Sequence, residues 1–486
     1  MIVPTISPAI RKVFVLLSCT FFGLSCGTLY LYSSYSPQLA KQLNYTASGS
    51  STIALIGNFG AAISGPLAGL VVDRKGYTMS IIIGGLFIMS GYLGLKRQFD
   101  TIYGNVILSS CLLLLVGSGS TFINYACLKC CAISFPSIRG VATSLPLALY
   151  GLSALFYSVI ASMFFPGDTS SFLGFLAYSS IVIFCICAPS IMLCDKDHNP
   201  KQQQQQQTLP RRNSVSEKKL VTNPNSAYQK LELEDSKDIT GFALVKCYRF
   251  WLLFIATGSL ASLGQMYIYS VGYMVKALIS YRIQSEQIID GDIIIQKDQQ
   301  FQVGLISTAN CIGRIISGIM GDIITQSFNK PRSLLLYLPS IGLMLTQLMG
   351  LFIREDSTLP IDSFLTGLFY GFIFCIMPII VGDTFGMTNF SSNWGIVSLA
   401  PIIPSIFFTR LFGNIYDSNS IIDEIKGGVI CTLGNECYNS IFKLTFAISI
   451  ISFITVSLIN AKVDVANFFK HEDSLPISKV KTKSIK

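Results

Sequence analysis

Long apolar stretches separated by short polar ones run along most of the chain. A helix rising 1.5 Å per residue needs about 20 apolar residues to cross roughly 30 Å of hydrocarbon with its backbone groups satisfied internally. Such stretches lie near residues 13–32, 51–72, 79–95, 102–126, 141–165 and 172–193, and again near 250–273, 303–321, 334–353, 364–382, 394–413 and 441–460. The pattern predicts an all-α membrane protein whose twelve transmembrane helices form two six-helix bundles, 13–193 and 250–460. Arg11 and Lys12 precede the first stretch as in a secretory leader, but it is too long for a leader's apolar region and no small-residue cleavage site follows, so it reads as a span.

The polar remainder divides into three parts. Residues 194–249 hold a six-glutamine tract and few aliphatic residues, too little apolar surface to offset chain entropy, and read as a disordered cytosolic linker. Within it Arg211, Arg212 and Ser214 form an R-R-x-S pattern that makes Ser214 a phosphorylation candidate. Residues 1–12 and 461–486 read as a cytosolic N-terminus and a cytosolic basic tail.

Composition then removes whole classes of function. Charged residues make up 13% of the chain and hydrophobic ones 51%, with a mean hydropathy of +0.56, which excludes a soluble globular enzyme. Only two histidines occur, His198 and His471, both in polar segments, so a histidine-built metal or nucleophile site has no raw material; neither metal nor cofactor is expected. The net charge of +9 would suit nucleic acid only if it formed a basic face on a soluble module. Sorted by loop, 24 of the 35 basic residues fall on the side of the N-terminus and 8 on the other, so the excess records orientation, with both termini cytosolic. The expected partners are membrane lipid and a small-molecule substrate with a coupling ion, handled by a monomeric transport unit. No Walker-type nucleotide loop is present, so a gradient is the expected driving force.

A motif recurs between the halves. Gly69, Asp73, Arg74 and Gly76 read G-x-x-x-D-R-K-G at the inner end of helix 2, and Gly318 and Asp322 read G-x-x-x-D at the inner end of helix 8. An equivalent motif at an equivalent place in two six-helix sets indicates duplication. The pattern resembles the cytoplasmic loop 2-3 motif of the major facilitator superfamily, and the 6+6 plan with a long central loop covers nearly the whole chain. The resemblance implies that these residues latch the inward-closed state and are conformational parts. Further residues are similar to the nodulin-like branch: Arg139 and Gly140 with Gly151, Leu152 and Ser153; Phe385, Gly386, Asn389, Phe390, Asn393, Trp394 and Gly395; and Phe412, Gly413, Tyr416 and Asp417. Within that branch the chain most resembles fungal monocarboxylate-transporter homologues, which implies a vacuolar membrane and an organic anion as solute.

Arg314 is the most informative single residue. It lies about 11 residues into helix 8, roughly 16 Å along the axis and near the midplane. A charge there is costly unless paired or facing water, so it reads as a substrate contact that can dock a carboxylate bidentately. The competing reading pairs it with Asp322, eight residues on and on nearly the same face. The chain departs from the transporters it resembles in two places: their acidic residue one turn before this arginine is Asn310 here, and their lysine at the outer end of helix 1 is absent, the chain reading Tyr35, Ser36, Pro37, Gln38. Asn310, Gln265 and Asn124 are further substrate-binding candidates, with helix-to-helix amide bonds as the plainer use of each, as of Asn58. Tyr30, Tyr32, Tyr35, Tyr267, Tyr269 and Tyr273 read as an interfacial aromatic belt.

Most of the fourteen cysteines sit in apolar stretches and read as small hydrophobes. Cys431 and Cys437, six apart in the outer loop before helix 12, form a disulfide candidate, and Asn44 in the first outer loop is a glycosylation candidate. The expected function is secondary transport of a small organic anion; the alternative is a transporter-shaped sensor or scaffold acting through its central loop.

Overall fold

The computed structural model describes residues 8–45, 47–197, 238–286, 291–423 and 428–472; Ser214 and most of the 194–249 segment lie outside them. Twelve helical spans are present: α1 (Ile10–Leu31), α2 (Thr52–Lys75), α3 (Tyr77–Asp100), α4 (Val106–Ser134), α5 (Arg139–Phe164), α6 (Thr169–Asp195), α7 (Tyr248–Gln284), α8 (Ile294–Gln326), α9 (Arg332–Phe352), α10 (Asp356–Phe385), α11 (Phe390–Ser418) and α12 (Asn439–Ala461). Each covers all or most of one predicted stretch, the ends differing by up to four residues where a stretch runs past the helix. Large apolar side chains such as Ile107, Ile186 and Ile403 stand exposed at 70–80%, the surface expected of a protein solvated by lipid.

Local sequence sets several boundaries. Gly76, with φ +89°, turns the chain between α2 and α3, and the Asp195 carboxylate caps the new helix by accepting from Tyr77 N and Thr78 N at 3.0 and 3.1 Å. A Cβ at Gly76 would sit 2.4 Å from that carboxylate. Asn105 caps α4, accepting from Leu108 N at 3.1 Å. At Gly27 α1 approaches α5 so closely that a Cβ would fall 2.1 Å from the Tyr150 carbonyl, and there it tightens into a 3-10 turn before continuing as a helix over Tyr32–Leu43.

Two features depart from the predicted plan. The polar residues between the seventh and eighth stretches are largely helical, because the helices containing α7 and α8 run over Tyr248–Glu286 and Gly291–Gln326, 39 and 36 residues. At 1.5 Å per residue both exceed the bilayer core by about 20 Å or more. Gln299 donating to Gly272 O at 2.8 Å and an Arg282–Asp356 ion pair at 2.7 Å hold this extension. The loop before α12 contains a short antiparallel pair, β1 (Ile421–Asp423) and β2 (Gly428–Ile430), followed by a disulfide joining Cys431 to Cys437.

Within the bundles, α3 packs on α4, α2 on α4, and α8 on α10. Across the halves, α5 packs against α8, and the inner end of α2 against the start of α11. These two crossings carry everything that follows.

Candidate functional site

Arg314 lies on α8 in the α5–α8 crossing and is 4% exposed. Its Nε donates to Asn310 Oδ1 at 2.8 Å, one turn earlier, and its Nη1 donates to the Leu147 carbonyl of α5 at 2.6 Å. The guanidinium carbon stands 5.5 Å from the centre of the Tyr150 ring, a cation–π contact. No carboxylate among the described residues comes within 4.0 Å of it, and Nη2 donates no hydrogen bond among them. The Asp322 alternative is therefore not what the structure forms: Asp322 is held by other groups, and Arg314 keeps a buried positive charge with unused donor capacity.

Aromatic and amide groups surround that charge. Tyr30 of α1 meets Tyr150 edge-on with centroids 5.9 Å apart and is 42% exposed, so it closes this region only in part. Gln265 of α7 donates to the Tyr370 hydroxyl of α10 at 3.2 Å and accepts from Ser405 of α11. Arg314, Asn310 and Gln265 thus share one region with Tyr150, Tyr370 and Ser405. Asn124 does not join it: its Oδ1 is buried without a partner among the described residues, and Tyr125 next to it reaches across to Ser398 at 2.7 Å. Asn58 donates only to Ala54 O in its own helix.

The belt reading of the tyrosines needs correction. Tyr32, Tyr35 and Tyr267 are at most 5% exposed and sit inside the bundles because helical continuation beyond Leu31 and Ser270 gives them interior neighbours. Tyr30 faces the Arg314 region; Tyr269 and Tyr273 alone combine an outer position with substantial exposure.

At the inner side two carboxylates seal the halves. Asp73 on α2 accepts from Ser391 N and Ser392 N, at 3.3 and 2.7 Å, capping the first turn of α11. Asp322 on α8 accepts from Gly140 N and Val141 N, both at 2.8 Å, capping the first turn of α5. Each carboxylate lies at the positive end of a helix from the other half, where a negative charge is stabilised by the free N–H groups and the helix dipole. The motif glycines permit the approach: a Cβ at Gly69 would lie 2.2 Å from Ser391 O, and one at Gly318 2.5 Å from Gly140 O.

Neither carboxylate takes its cation from the loop that follows it. Lys129 of α4 donates to Asp73 Oδ1 and to Thr388 O, both at 2.6 Å, and is 7% exposed. Arg332, at the start of α9 and 8% exposed, bridges Asp322 at 3.1 Å and Asp383 of α10 at 2.6 Å, while Arg139 reaches Asp383 at 3.5 Å. Arg74, the basic residue of the motif, has no such partner among the described residues. Sequence reasoning missed Lys129 and Arg332 because it ended the fourth apolar stretch at 126 and began the ninth at 334, assigning both cations to loops. The only available signal was that α4 remains almost free of charge to Ser134 apart from this one lysine.

Solved structures share this helical plan. The chain superposes on the E. coli fucose:proton symporter FucP with a TM-score of 0.56 and 15% identity, covering 93% of this chain and 99% of that one. It superposes on the proton:xylose symporter XylE at 0.58 and 15%, covering 91% and 95%. The fold is thus that of the major facilitator superfamily, and with twelve apolar spans among the described residues the protein is a multi-pass membrane protein. Residues 12–212 match the family model described as Nodulin-like. An uncharacterised membrane protein of Saccharomyces cerevisiae is 28% identical, covering 89% of this chain and 93% of the relative. Probable transporter MCH1 of Wickerhamomyces anomalus is 25% identical over 83% and 80%, and that of S. cerevisiae 24% over 94% and 92%. The chain has the major facilitator fold and is similar to nodulin-like proteins over residues 12–212 and to the fungal MCH1 proteins over most of its length.

Proposed function

We propose that this protein is a secondary active transporter of a small organic anion such as a monocarboxylate, working by alternating access with its inner side closed in the state described. The observation that carries the reading is Arg314: a buried guanidinium in the α5–α8 crossing with an aromatic surround and, among the described residues, no carboxylate within 4.0 Å and no partner for Nη2. A solute carboxylate supplies the missing negative charge and accepts the unused donors. Bundles 13–193 and 250–460 rock about this point, and the two motif carboxylates release and recapture the opposing helix ends. Resemblance to the MCH1 proteins and the distribution of basic residues support a vacuolar membrane with both termini cytosolic.

The test is uptake into proteoliposomes across a panel of monocarboxylates, dicarboxylates and amino acids. Removing one member of a buried charged contact costs about 2–5 kcal/mol, so Arg314→Gln should reduce anion uptake by about thirtyfold or more. Anion uptake unchanged in that variant overturns the assignment.

A further inference from the structure

The outer end of the second bundle holds a polar cluster that neither the inner seal nor the Arg314 region uses. Asp362, the fourth residue of the helix Leu359–Phe385, is 0% exposed. The Tyr267 hydroxyl is the side-chain hydrogen-bonding group that reaches it among the described residues, and no Lys, Arg or His nitrogen among them lies within 4.0 Å. Thr366, one turn on, and Tyr438 beside it are both 0% exposed, with Thr366 Oγ1 and Tyr438 Oη unpartnered among the described residues; Gln302 of α8, also 0% exposed, lies toward Asp298. Tyr267 of α7 pairs with Ser363 at 3.0 Å, beside Asp362. The register of α8 on α10 brings Gln302 to this level: Gly371 faces Asn310 and Gly367 faces Ile306, so the next turn outward sets Gln302 against Ser363.

The first bundle shows what this place looks like when it is closed. Ser109 is the fourth residue of α4, as Asp362 is of its helix. Its hydroxyl donates to Gln98 Oε1 at 2.7 Å, Gln98 Nε2 donates to the Tyr45 hydroxyl at 3.0 Å, and Tyr45 and Ser109 meet at 2.9 Å. A neutral hydroxyl, a glutamine and a tyrosine complete a ring without any charge. In the second bundle a carboxyl stands at the serine's position in its helix, and the buried glutamine and tyrosines near this end come from other, non-equivalent elements.

We propose that Asp362 is the proton-binding carboxyl of this protein, and that its loading couples solute movement to a proton gradient; the coupling rests on the transport reading above. A carboxylate in an apolar interior costs several kcal/mol or more without a cation, and one tyrosine hydroxyl does not offset that. A carboxylate also only accepts, whereas a carboxylic acid can donate as well, which suits a site whose neighbours Thr366 and Tyr438 keep unpartnered hydroxyl oxygens. One proton from water on the outer side converts the carboxylate to the acid, and release returns it to water, with no electron moved. The titratable groups facing Asp362 are Tyr267 from α7 and Tyr438 from the segment before α12; Asp298, Asp356 and Arg282 lie further out, and α9 carries no charged residue over Tyr337–Phe352. Asp362, Thr366 and Tyr370 recur every four residues on one face of α10, and Tyr370 bonds Gln265, so the same helix face links the carboxyl to the Arg314 region.

The full chain, in proteoliposomes with labelled lactate and succinate, provides one arm of the test. At one proton per solute, a pH gradient of about one unit supports about tenfold accumulation in the wild type. Asp362→Asn, isosteric with the neutral acid, should keep solute exchange and lose that accumulation, while Asp362→Glu retains it. The second arm needs no solute: infrared spectroscopy at neutral pH should show the carbonyl stretch of a protonated carboxyl in the wild type and its loss in Asp362→Asn. Undiminished accumulation in Asp362→Asn, accumulation that follows a sodium gradient instead, or no difference in the protonated-carboxyl band overturns the proposal. If neither anion moves in the wild type, the anion reading fails, and the infrared arm still decides whether Asp362 holds a proton.

Discussion

The two crossings between the halves, α2 with α11 and α5 with α8, have the same backbone logic and different chemistry. In each, a motif carboxylate caps a helix of the opposite half and a motif glycine lets the backbones meet. The first uses one lysine, a point charge shared with the Thr388 carbonyl. The second uses Arg332, whose planar fork spans Asp322 and Asp383, and adds Arg139 from the other half. Only the second also carries Arg314. The two seals are thus alike, and the α5–α8 crossing alone also forms a wall of the candidate solute site, with Asp322 eight residues, about two turns, beyond Arg314 on the same helix.

This asymmetry sets the order of mutational effects. Asp73→Asn leaves Lys129 buried with no carboxylate and weakens the α11 cap, and should cost about 3–5 kcal/mol. A fall in the melting temperature of the detergent-purified protein, with increased labelling of cysteines introduced at the inner ends of α2 and α11, is the expected result. Asp322→Asn weakens the α5 cap but leaves Arg332 its ion pair with Asp383, so its cost should be smaller, about 2–3 kcal/mol in the same assay. If the two variants prove equal, the arginine network adds nothing to the second seal. Gly69→Ala forces a Cβ against the Ser391 carbonyl and should destabilise by about 1–3 kcal/mol, with inner cysteines labelled faster at the α2–α11 crossing than at α5–α8. Arg74→Ala should stay within about 0.5 kcal/mol of wild type, because the motif arginine touches no carboxylate in this state. A larger loss there would mean that Arg74 contributes in another state of the cycle.

The twelve helices were legible because apolar stretches of the required length leave no other solution in a bilayer. The motif residues and Arg314 were legible for a similar reason, as local spacing or a lone charge inside an apolar run. Their partners were not. Lys129 and Arg332 become counterions only when α4 and α9 pack beside α2 and α8, and the caps on α5 and α11 use backbone N–H groups that no residue type announces. Asp362 was overlooked for the opposite reason: it falls just before the apolar stretch read as 364–382, where an acidic residue looks like an ordinary loop charge, and only the packing of Tyr267 and Tyr438 buries it.

The ownership of the counterions in the seals bears on how readily the protein can open. Lys129 belongs to the same half as Asp73, and Arg332 to the same half as Asp322, so parting the halves separates neither pair. What is exchanged for water is chiefly four backbone hydrogen bonds to carboxylates, together with the Thr388 and Arg139 contacts. Hydrogen bonds to charged groups contribute about 1.5–3 kcal/mol each at most, and water re-forms much of that. The closed and open populations can therefore differ by only a few kcal/mol, a gap that the binding of one solute or one proton is large enough to invert.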